Sequence, residues 1–141
     1  MKLVILEPLG ISKEILLNLA ESAVQDRMEI TAYDDRKEDT ETLIERSKDA
    51  DAVVLSNFPY RKEVIERCPD LKMICVAFTG TDHVDIDYCK KKDILVCNCA
   101  GYSTAAVADL VFGMVIDIYR KIIDCNDTVR EGGTKSGLVG H

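Results

Sequence analysis

The sequence has little of what nucleic-acid-binding and membrane proteins need. It contains no tryptophan, and aromatic residues make up 6% of its 141 residues. Its 18 basic residues are outnumbered by 25 acidic ones, and the net charge of -7 is opposite in sign to the charge that neutralises phosphate groups. No uninterrupted apolar stretch reaches the roughly 20 residues that a membrane span requires. We therefore expect no binding to nucleic acid or to a membrane.

The features of secreted and zinc-binding proteins are also missing. The apolar run at residues 3–6 is too short for a signal peptide, and it ends at Glu7. The six cysteines include no C-x-x-C pair, and the nearest two, Cys97 and Cys99, share one face of a predicted strand. With only two histidines, far apart in the sequence, no metal site is predicted. We expect a cytoplasmic protein with reduced structural thiols.

The composition is that of a globular domain. Apolar residues make up 47% of the chain and charged residues 30%, with 8 glycines and 3 prolines. These proportions exclude a disordered or fibrous chain. A chain of 15.7 kDa has the length of one domain and buries about two-thirds of its unfolded surface.

Five short apolar runs alternate with segments whose apolar residues lie three or four positions apart. The runs predict strands at residues 3–6, 29–33, 52–55, 73–78 and 94–97. The intervening segments predict helices at residues 12–23, 39–48, 61–68 and 85–92. In the first helix Ser12 is the expected cap, and the stripe expected to pack on the sheet is Ile15, Leu16, Leu19 and Ala20. This alternation predicts an α/β fold, a flavodoxin-like five-stranded parallel sheet with helices on both faces.

A long helix of a different kind is predicted over residues 103–131, beginning at Ser103. Its apolar residues surround almost the whole circumference, whereas a helix that covers one face of a sheet needs only a stripe. Asp109 and Asp117 interrupt it, which argues against a membrane span. We expect a second copy of the chain to cover this helix in a homodimer. The alternative is a bend after Gly113 that hides the second face within the monomer.

The chain is thus expected to contain three parts. A substrate-binding domain occupies residues 1–102, the long helix occupies residues 103–131, and a polar, glycine-rich linker occupies residues 132–141.

Ligands of such sheets bind outside the carboxyl ends of the strands, so the residues that follow each strand are the candidate site. Asn57 and Phe58 follow the third predicted strand, and Tyr102 and Ser103 come shortly after the fifth. The last two lie beside a helix N-terminus, which favours an anion. The alternative is that Ser103 only caps the helix and Tyr102 only covers apolar surface.

Thr79, Gly80 and Thr81 follow the fourth predicted strand. A glycine between two hydroxyl residues allows backbone N–H groups to point at an anion such as a carboxylate, with no Cβ in the way. The alternative is an ordinary strand-to-helix turn in which Asp82 or Asp85 caps the next helix.

Two other functions of this fold class are excluded by the residues that follow the strands. A receiver domain needs a phosphorylatable Asp after the third strand, where Ser56 and Asn57 stand. A flavodoxin needs a hydroxyl-rich phosphate loop after the first strand, where Glu7 and Pro8 stand. The chain contains no G-x-G-x-x-G, G-x-x-x-x-G-K-[ST] or G-x-S-x-G motif. A lone loop histidine such as His83 is expected at the surface.

Two linked segments resemble a known family. VAFTGTDHVDID, from Val76 to Asp87, and KKDILVCNCAGYSTAAVADLVFGMVI, from Lys91 to Ile116, are similar to the N-terminal part of NAD-dependent D-isomer-specific 2-hydroxyacid dehydrogenases. The shared order is a G-T-D-x-V-D loop, a short helix, a strand ending in Asn, an aromatic-Ser pair and a long helix. The resemblance covers essentially the whole chain.

The resemblance implies the substrate domain of an oxidoreductase that transfers a hydride between NAD(H) and a small D-2-hydroxy acid or 2-keto acid. It implies that the backbone amides of Thr79, Gly80 and Thr81 hold the substrate carboxylate, and that Tyr102 and Ser103 line the cleft. NAD would be bound mainly by a domain that follows this chain. The alternative is a non-catalytic, NADH-sensing module of the corepressor type on the same fold.

The family's catalytic Arg, His and Glu have no counterpart here, so neither His83 nor His141 is assigned their role. The resemblance therefore implies that this chain alone carries no catalytic residue and is inactive. It also implies that the long helix contributes to a two-fold dimer interface.

Overall fold

The computed structural model describes residues 1–25 and 27–134, and it contains a five-stranded parallel sheet. The strands are β1 (Lys2–Ile5), β2 (Glu29–Ala32), β3 (Ala52–Leu55), β4 (Met73–Val76) and β5 (Leu95–Asn98). Their order across the sheet is β2-β1-β3-β4-β5, and all neighbouring pairs are parallel. The predicted flavodoxin-like fold is confirmed.

Four helices connect the strands. Three of them begin after a serine or aspartate that caps the helix, and one begins after a residue in an extended conformation. They are α1 (Lys13–Val24), α2 (Thr40–Ser47), α3 (Lys62–Ile65) and α4 (Ile86–Lys91). Ser12 Oγ accepts a hydrogen bond from the Ile15 N–H at 3.4 Å, and Asp39 caps α2 in the same way. Because crossovers between parallel strands are right-handed, α1 lies on one face of the sheet and α2 to α4 lie on the other.

The main core lies between the sheet and the face formed by α2, α3 and α4. Val4, Val53 and Ile74 point into it from the strands and are fully buried. Leu43 of α2 and Val64 of α3 meet them there. Each such side chain contributes about 1.5–3 kcal/mol by leaving water, so this layer holds the sheet and its carboxyl edge in place.

The opposite face is covered less completely than predicted. Leu16 and Ala20 of α1 are half-buried, but Ile15 and Leu19 are exposed. The expectation that all four residues pack on the sheet is wrong because the shielded face of α1 is formed by Leu16, Leu17, Ala20 and Val24, which is rotated from the predicted stripe.

The residues from Gly101 onward form a second unit, which is described here by itself. It contains α5 (Thr104–Arg120) and α6 (Ile122–Arg130). The prediction of one helix over residues 103–131 is corrected, since Lys121 adopts a left-handed conformation with φ of 51°. The break is stabilised by Asp117, whose carbonyl accepts the Lys121 N–H and whose carboxylate accepts the Ile123 N–H at 3.1 Å.

No residue of α5 is buried, and its apolar side chains are exposed on all sides. The units divide after Ala100, two residues before the predicted boundary. Most of the predicted linker, residues 135–141, lies outside the described residues, and so does His141.

Candidate functional site

The candidate site lies at the carboxyl edge of the sheet, where β3 and β4 end side by side. Leu55 is the register partner of Val76, and the Ala77 N–H donates to the Leu55 carbonyl at 2.8 Å. The chain then leaves β3 through Ser56 and Asn57 and leaves β4 through residues 77–82. These two loops are therefore neighbours, as expected for the ligand-binding edge of such a sheet.

The residues Thr79, Gly80 and Thr81, named here the amide loop, offer backbone donors. Within residues 1–25 and 27–134, their three backbone N–H groups donate no hydrogen bond. Thr79 and Gly80 are exposed and Thr81 is half-buried. Backbone N–H groups without internal partners at an accessible loop suit a carboxylate, whose oxygens accept several hydrogen bonds.

Three contacts hold the amide loop and the following residue, Asp82, in position. Asn98 Nδ2 donates to the Thr79 carbonyl at 2.6 Å, and the Val84 N–H donates to the Thr81 carbonyl at 3.0 Å. Arg61 Nη1 donates to the Asp82 carbonyl at 2.8 Å. These contacts use the carbonyl groups of the segment, so its N–H groups remain available.

The alternative interpretation of this loop as a helix-capping turn is partly correct. The Asp85 carboxylate accepts the Tyr88 N–H at 2.9 Å and caps α4. Asp82 has no such role, but a Cβ added at Gly80 would lie 3.0 Å from Asp82 Oδ1. The residue that caps α4 lies outside the amide loop, so helix capping and anion binding are compatible in this segment.

A carboxylate whose burial the sequence did not predict supports the neighbouring loop. Glu7 follows β1 and is 2% exposed. Its Oε1 accepts hydrogen bonds from the Ser56 N–H at 2.7 Å and from the Ser56 hydroxyl at 2.6 Å. Its Oε2 accepts from Arg36 Nη1 at 2.9 Å. Buried carboxylates need such partners, and here the partners fix the chain just after β3.

Arg36 joins this carboxylate to the predicted site residue Asn57. Arg36 Nη1 also donates to Asn57 Oδ1 at 2.9 Å, and Arg36 Nε donates to Glu38 Oε1 at 2.7 Å. The hydrogen bond to Glu38, together with the nearby Glu7, raises the pKa of Arg36. No sequence pattern pointed to Arg36, since it lies in a charged loop 21 positions before Asn57.

Asn57 is exposed at the edge, whereas Phe58 is fully buried in the core cluster. The guanidinium of Arg36 lies over the Phe58 ring, 5.5 Å from its centroid. The ring therefore stabilises the Arg36 guanidinium through a cation–π interaction.

His83 is 9% exposed, so the expectation of a surface histidine is wrong. The Tyr60 N–H donates to the His83 carbonyl at 2.9 Å, and a bridge between Tyr60 and Val84 draws this segment inward. Burial is the main cause that lowers the pKa of His83, and the Asp82 carboxylate opposes it. Nε2 of His83 is buried without a hydrogen-bond partner in the described part of the chain.

Tyr102 and Ser103 belong to the second unit. Tyr102 is exposed. Ser103 stands at the N-cap of α5, but its side chain makes no capping hydrogen bond, which differs from the expected cap. Its carbonyl accepts the Val107 N–H at 2.9 Å.

The residues that the structure describes lack two further features. They contain no cluster of three or more His, Cys, Asp or Glu residues able to hold a metal ion. No helix among them is long and apolar enough to cross a membrane.

Comparison with known proteins gives a consistent result. A family model described as the catalytic domain of D-isomer specific 2-hydroxyacid dehydrogenases matches residues 4–137. A hydroxypyruvate reductase of Blautia hydrogenotrophica is 34% identical over 118 residues, which cover 84% of this chain and 34% of that protein. A glyoxylate reductase of Thermococcus litoralis is 36% identical over 99 residues, which cover 70% of this chain and 30% of that protein.

Among solved structures, an NAD⁺-bound 3-phosphoglycerate dehydrogenase of Entamoeba histolytica is 31% identical, with a TM-score of 0.69. The match covers 86% of this chain and 40% of that one. The chain spans about one third of the length of the curated relatives it matches.

Proposed function

The chain belongs to the D-isomer specific 2-hydroxyacid dehydrogenase family, and from this premise we propose that it is the substrate domain of an oxidoreductase. The reaction would transfer a hydride between a nicotinamide cofactor and a small D-2-hydroxy acid or 2-keto acid. The observation that carries the proposal is the amide loop, which offers free backbone donors at the edge where β3 and β4 end. The substrate carboxylate would accept hydrogen bonds from Thr79, Gly80 and Thr81.

Other residues of the chain would complete one side of the cleft. Asn57 lies at the same edge of the sheet and would contact the substrate through its side-chain amide. Phe58, expected to contact the substrate, is fully buried and would act only by supporting Arg36.

The cofactor NAD would supply or accept the hydride. The chain contains no glycine-rich dinucleotide motif, so we propose that NAD is bound mainly by a further domain of the protein. That domain would also supply the proton donor and the electrophilic group that the reaction needs. This chain would then orient the substrate but would have no turnover alone.

The alternative of an NADH-sensing corepressor module receives less support. The matched family is described as dehydrogenases, and the two curated relatives described above carry the names of reductases. A catalytic function is therefore the one we propose.

Two further parts of the proposal concern assembly and location. We propose a homodimer formed through the helix that begins after Ser103, because its exposed apolar residues are costly to leave in water. We also propose a cytoplasmic location, supported by the six cysteines and the absence of disulfides among the described residues.

The test is a turnover assay on the full-length protein that carries this chain. We expect NADH-dependent reduction of at least one acid in a panel of glyoxylate, pyruvate and hydroxypyruvate. The purified 141-residue chain should give none. A full-length protein that binds NADH but reduces no acid in the panel would support the sensing module instead.

A further inference from the structure

The side-chain amide of Asn57 is held in one orientation. Its Oδ1 receives a hydrogen bond from Arg36 Nη1 at 2.9 Å and lies 3.4 Å from the Ser56 hydroxyl. A guanidinium only donates hydrogen bonds, so the amide oxygen must face Arg36 and the amide nitrogen must face away from it. Within the described residues, Asn57 Nδ2 donates to no other group.

This orientation is anchored to the interior through Arg36 and Glu7. The same Nη1 atom that holds Asn57 also donates to Glu7 Oε2 at 2.9 Å. Glu7 is in turn fixed by the Ser56 N–H and hydroxyl, and it is 2% exposed. An exposed amide is thus connected to a buried carboxylate by a single cation.

The charges at this position select against a second anionic group. Arg36 is paired with both Glu7 and Glu38, so two carboxylates surround one guanidinium. The two carboxylates outweigh the one guanidinium, so a phosphate or second carboxylate placed beside Asn57 would meet a net negative charge, whereas a neutral hydroxyl would gain a hydrogen bond from Nδ2.

Asn57 lies where it can reach the end of the substrate that is opposite the carboxylate. Asn57 follows β3 and the amide loop follows β4, and neighbouring strands lie about 4.8 Å apart. A small acid whose carboxylate lies on the amide loop can direct the group on its third carbon toward the adjacent loop.

We propose that Glu7 and Arg36 are positioning residues that turn the Asn57 amide nitrogen toward the substrate, and that this donor selects 2-keto acids with an uncharged hydroxyl on the third carbon. The inference rests on the proposed function and specifies its substrate class. Hydroxypyruvate carries this hydroxyl, pyruvate lacks it, and the phosphate ester of hydroxypyruvate replaces it with a dianion.

The test is the ratio of kcat/KM for hydroxypyruvate to that for pyruvate, measured on the full-length protein that carries this chain. We expect hydroxypyruvate to be favoured about tenfold, the effect of one neutral hydrogen bond, and to be favoured over its phosphate ester. Asn57→Leu should bring the ratio close to one. Arg36→Gln should lower the ratio about threefold through the KM for hydroxypyruvate, because it frees the amide without removing it.

Two further variants separate positioning from a general loss of structure. Arg36→Lys keeps a cation between Glu7 and Asn57 and should restore part of the ratio. Arg67→Gln changes an exposed arginine outside the site and should leave the ratio and the rate unchanged. Circular dichroism checks the fold of each variant, and Asn57→Leu keeps the test valid if Arg36→Gln does not fold, because Asn57 is exposed.

An unchanged ratio in folded Asn57→Leu, or a preference of the wild type for pyruvate or for the phosphate ester, would overturn this inference while the proposed function stands. A protein that reduces no 2-keto acid would contradict the proposed function and this inference with it.

Discussion

The carboxylate of Glu7, which follows β1, accepts both the backbone N–H and the hydroxyl of Ser56, which follows β3, at 2.7 and 2.6 Å. The two residues are 49 positions apart in the sequence. The contact ties the ends of two neighbouring strands together at the edge where the candidate site lies. It therefore links the stability of the fold to the geometry of the site.

Replacement of Glu7 should destabilise the protein. Glu7→Leu leaves the Ser56 N–H and hydroxyl without their carboxylate acceptor and removes one of the two carboxylates paired with Arg36, and we expect a loss of about 2 kcal/mol in the free energy of unfolding. Glu7→Gln keeps an acceptor for Ser56 and should cost about half as much. Urea unfolding followed by circular dichroism measures both.

Glu21→Leu is the matched control, because Glu21 lies on an exposed part of α1. This change should stay within about 0.5 kcal/mol of the wild type. Equal losses in Glu7→Leu and Glu21→Leu would show that the buried network contributes nothing.

His83 should make the stability of the protein sensitive to weak acid. Burial lowers the pKa of His83 below its ordinary value of 6.5, so the unfolded chain takes up this proton first as the pH falls. The contribution of the neutral imidazole is therefore complete above about pH 6.5 and is lost as the pH falls below it.

Urea unfolding at about pH 7.5 and about pH 5.5 tests this for the wild type and for His83→Gln. We expect a smaller loss of stability on acidification in the variant. Since His141 is present in both proteins, its titration does not affect the comparison. An equal loss of stability in the wild type and in His83→Gln would contradict a contribution from the His83 imidazole.

Asn98 should affect substrate binding indirectly, by holding the amide loop in place. Its Nδ2 donates to the Thr79 carbonyl at 2.6 Å, so Asn98→Ala removes one of the contacts that hold the loop. We expect kcat/KM of the full-length protein for 2-keto acids to fall about tenfold, the value of one hydrogen bond. Asn18→Ala, on the exposed side of α1, should have no effect.

The exposed helix α5 should mediate self-association. Val111 is 48% exposed on this helix, and Val111→Asp places a charge among its apolar residues. We expect light scattering to give a dimer for the wild-type chain and a 15.7 kDa monomer for the variant. Ile15→Asp, at a similarly exposed apolar residue of α1, should remain dimeric. A wild-type monomer at high protein concentration would contradict the dimer.

Local sequence patterns predicted most of the strands and helices, because hydrophobic spacing and capping residues determine where these elements form. The alternation of apolar runs and helical spacing located all five strands to within two residues at every end, and Ser12 caps α1 as its hydroxyl predicted. The fourth strand is shorter than predicted, ending at Val76, since Ala77 and Phe78 continue the apolar run after the ladder stops.

Contacts between distant residues could not be predicted in this way. Glu7 is an acidic residue before a proline in the sequence, and only the pairing of β1 with β3 brings it to Ser56. Likewise, the burial of His83 follows from a bridge to Tyr60. The break at Lys121 depends on the side chain of Asp117, which the helical pattern includes as an ordinary polar position.

Binding of a substrate carboxylate by the backbone amides of Thr79, Gly80 and Thr81 is tested most directly by a ¹H–¹⁵N NMR titration of this chain with pyruvate. We expect saturable shifts of these three amide resonances, which methyl pyruvate, lacking the free carboxylate, does not reproduce. Equal shifts with the acid and its ester, or shifts confined to residues outside this loop, would contradict it.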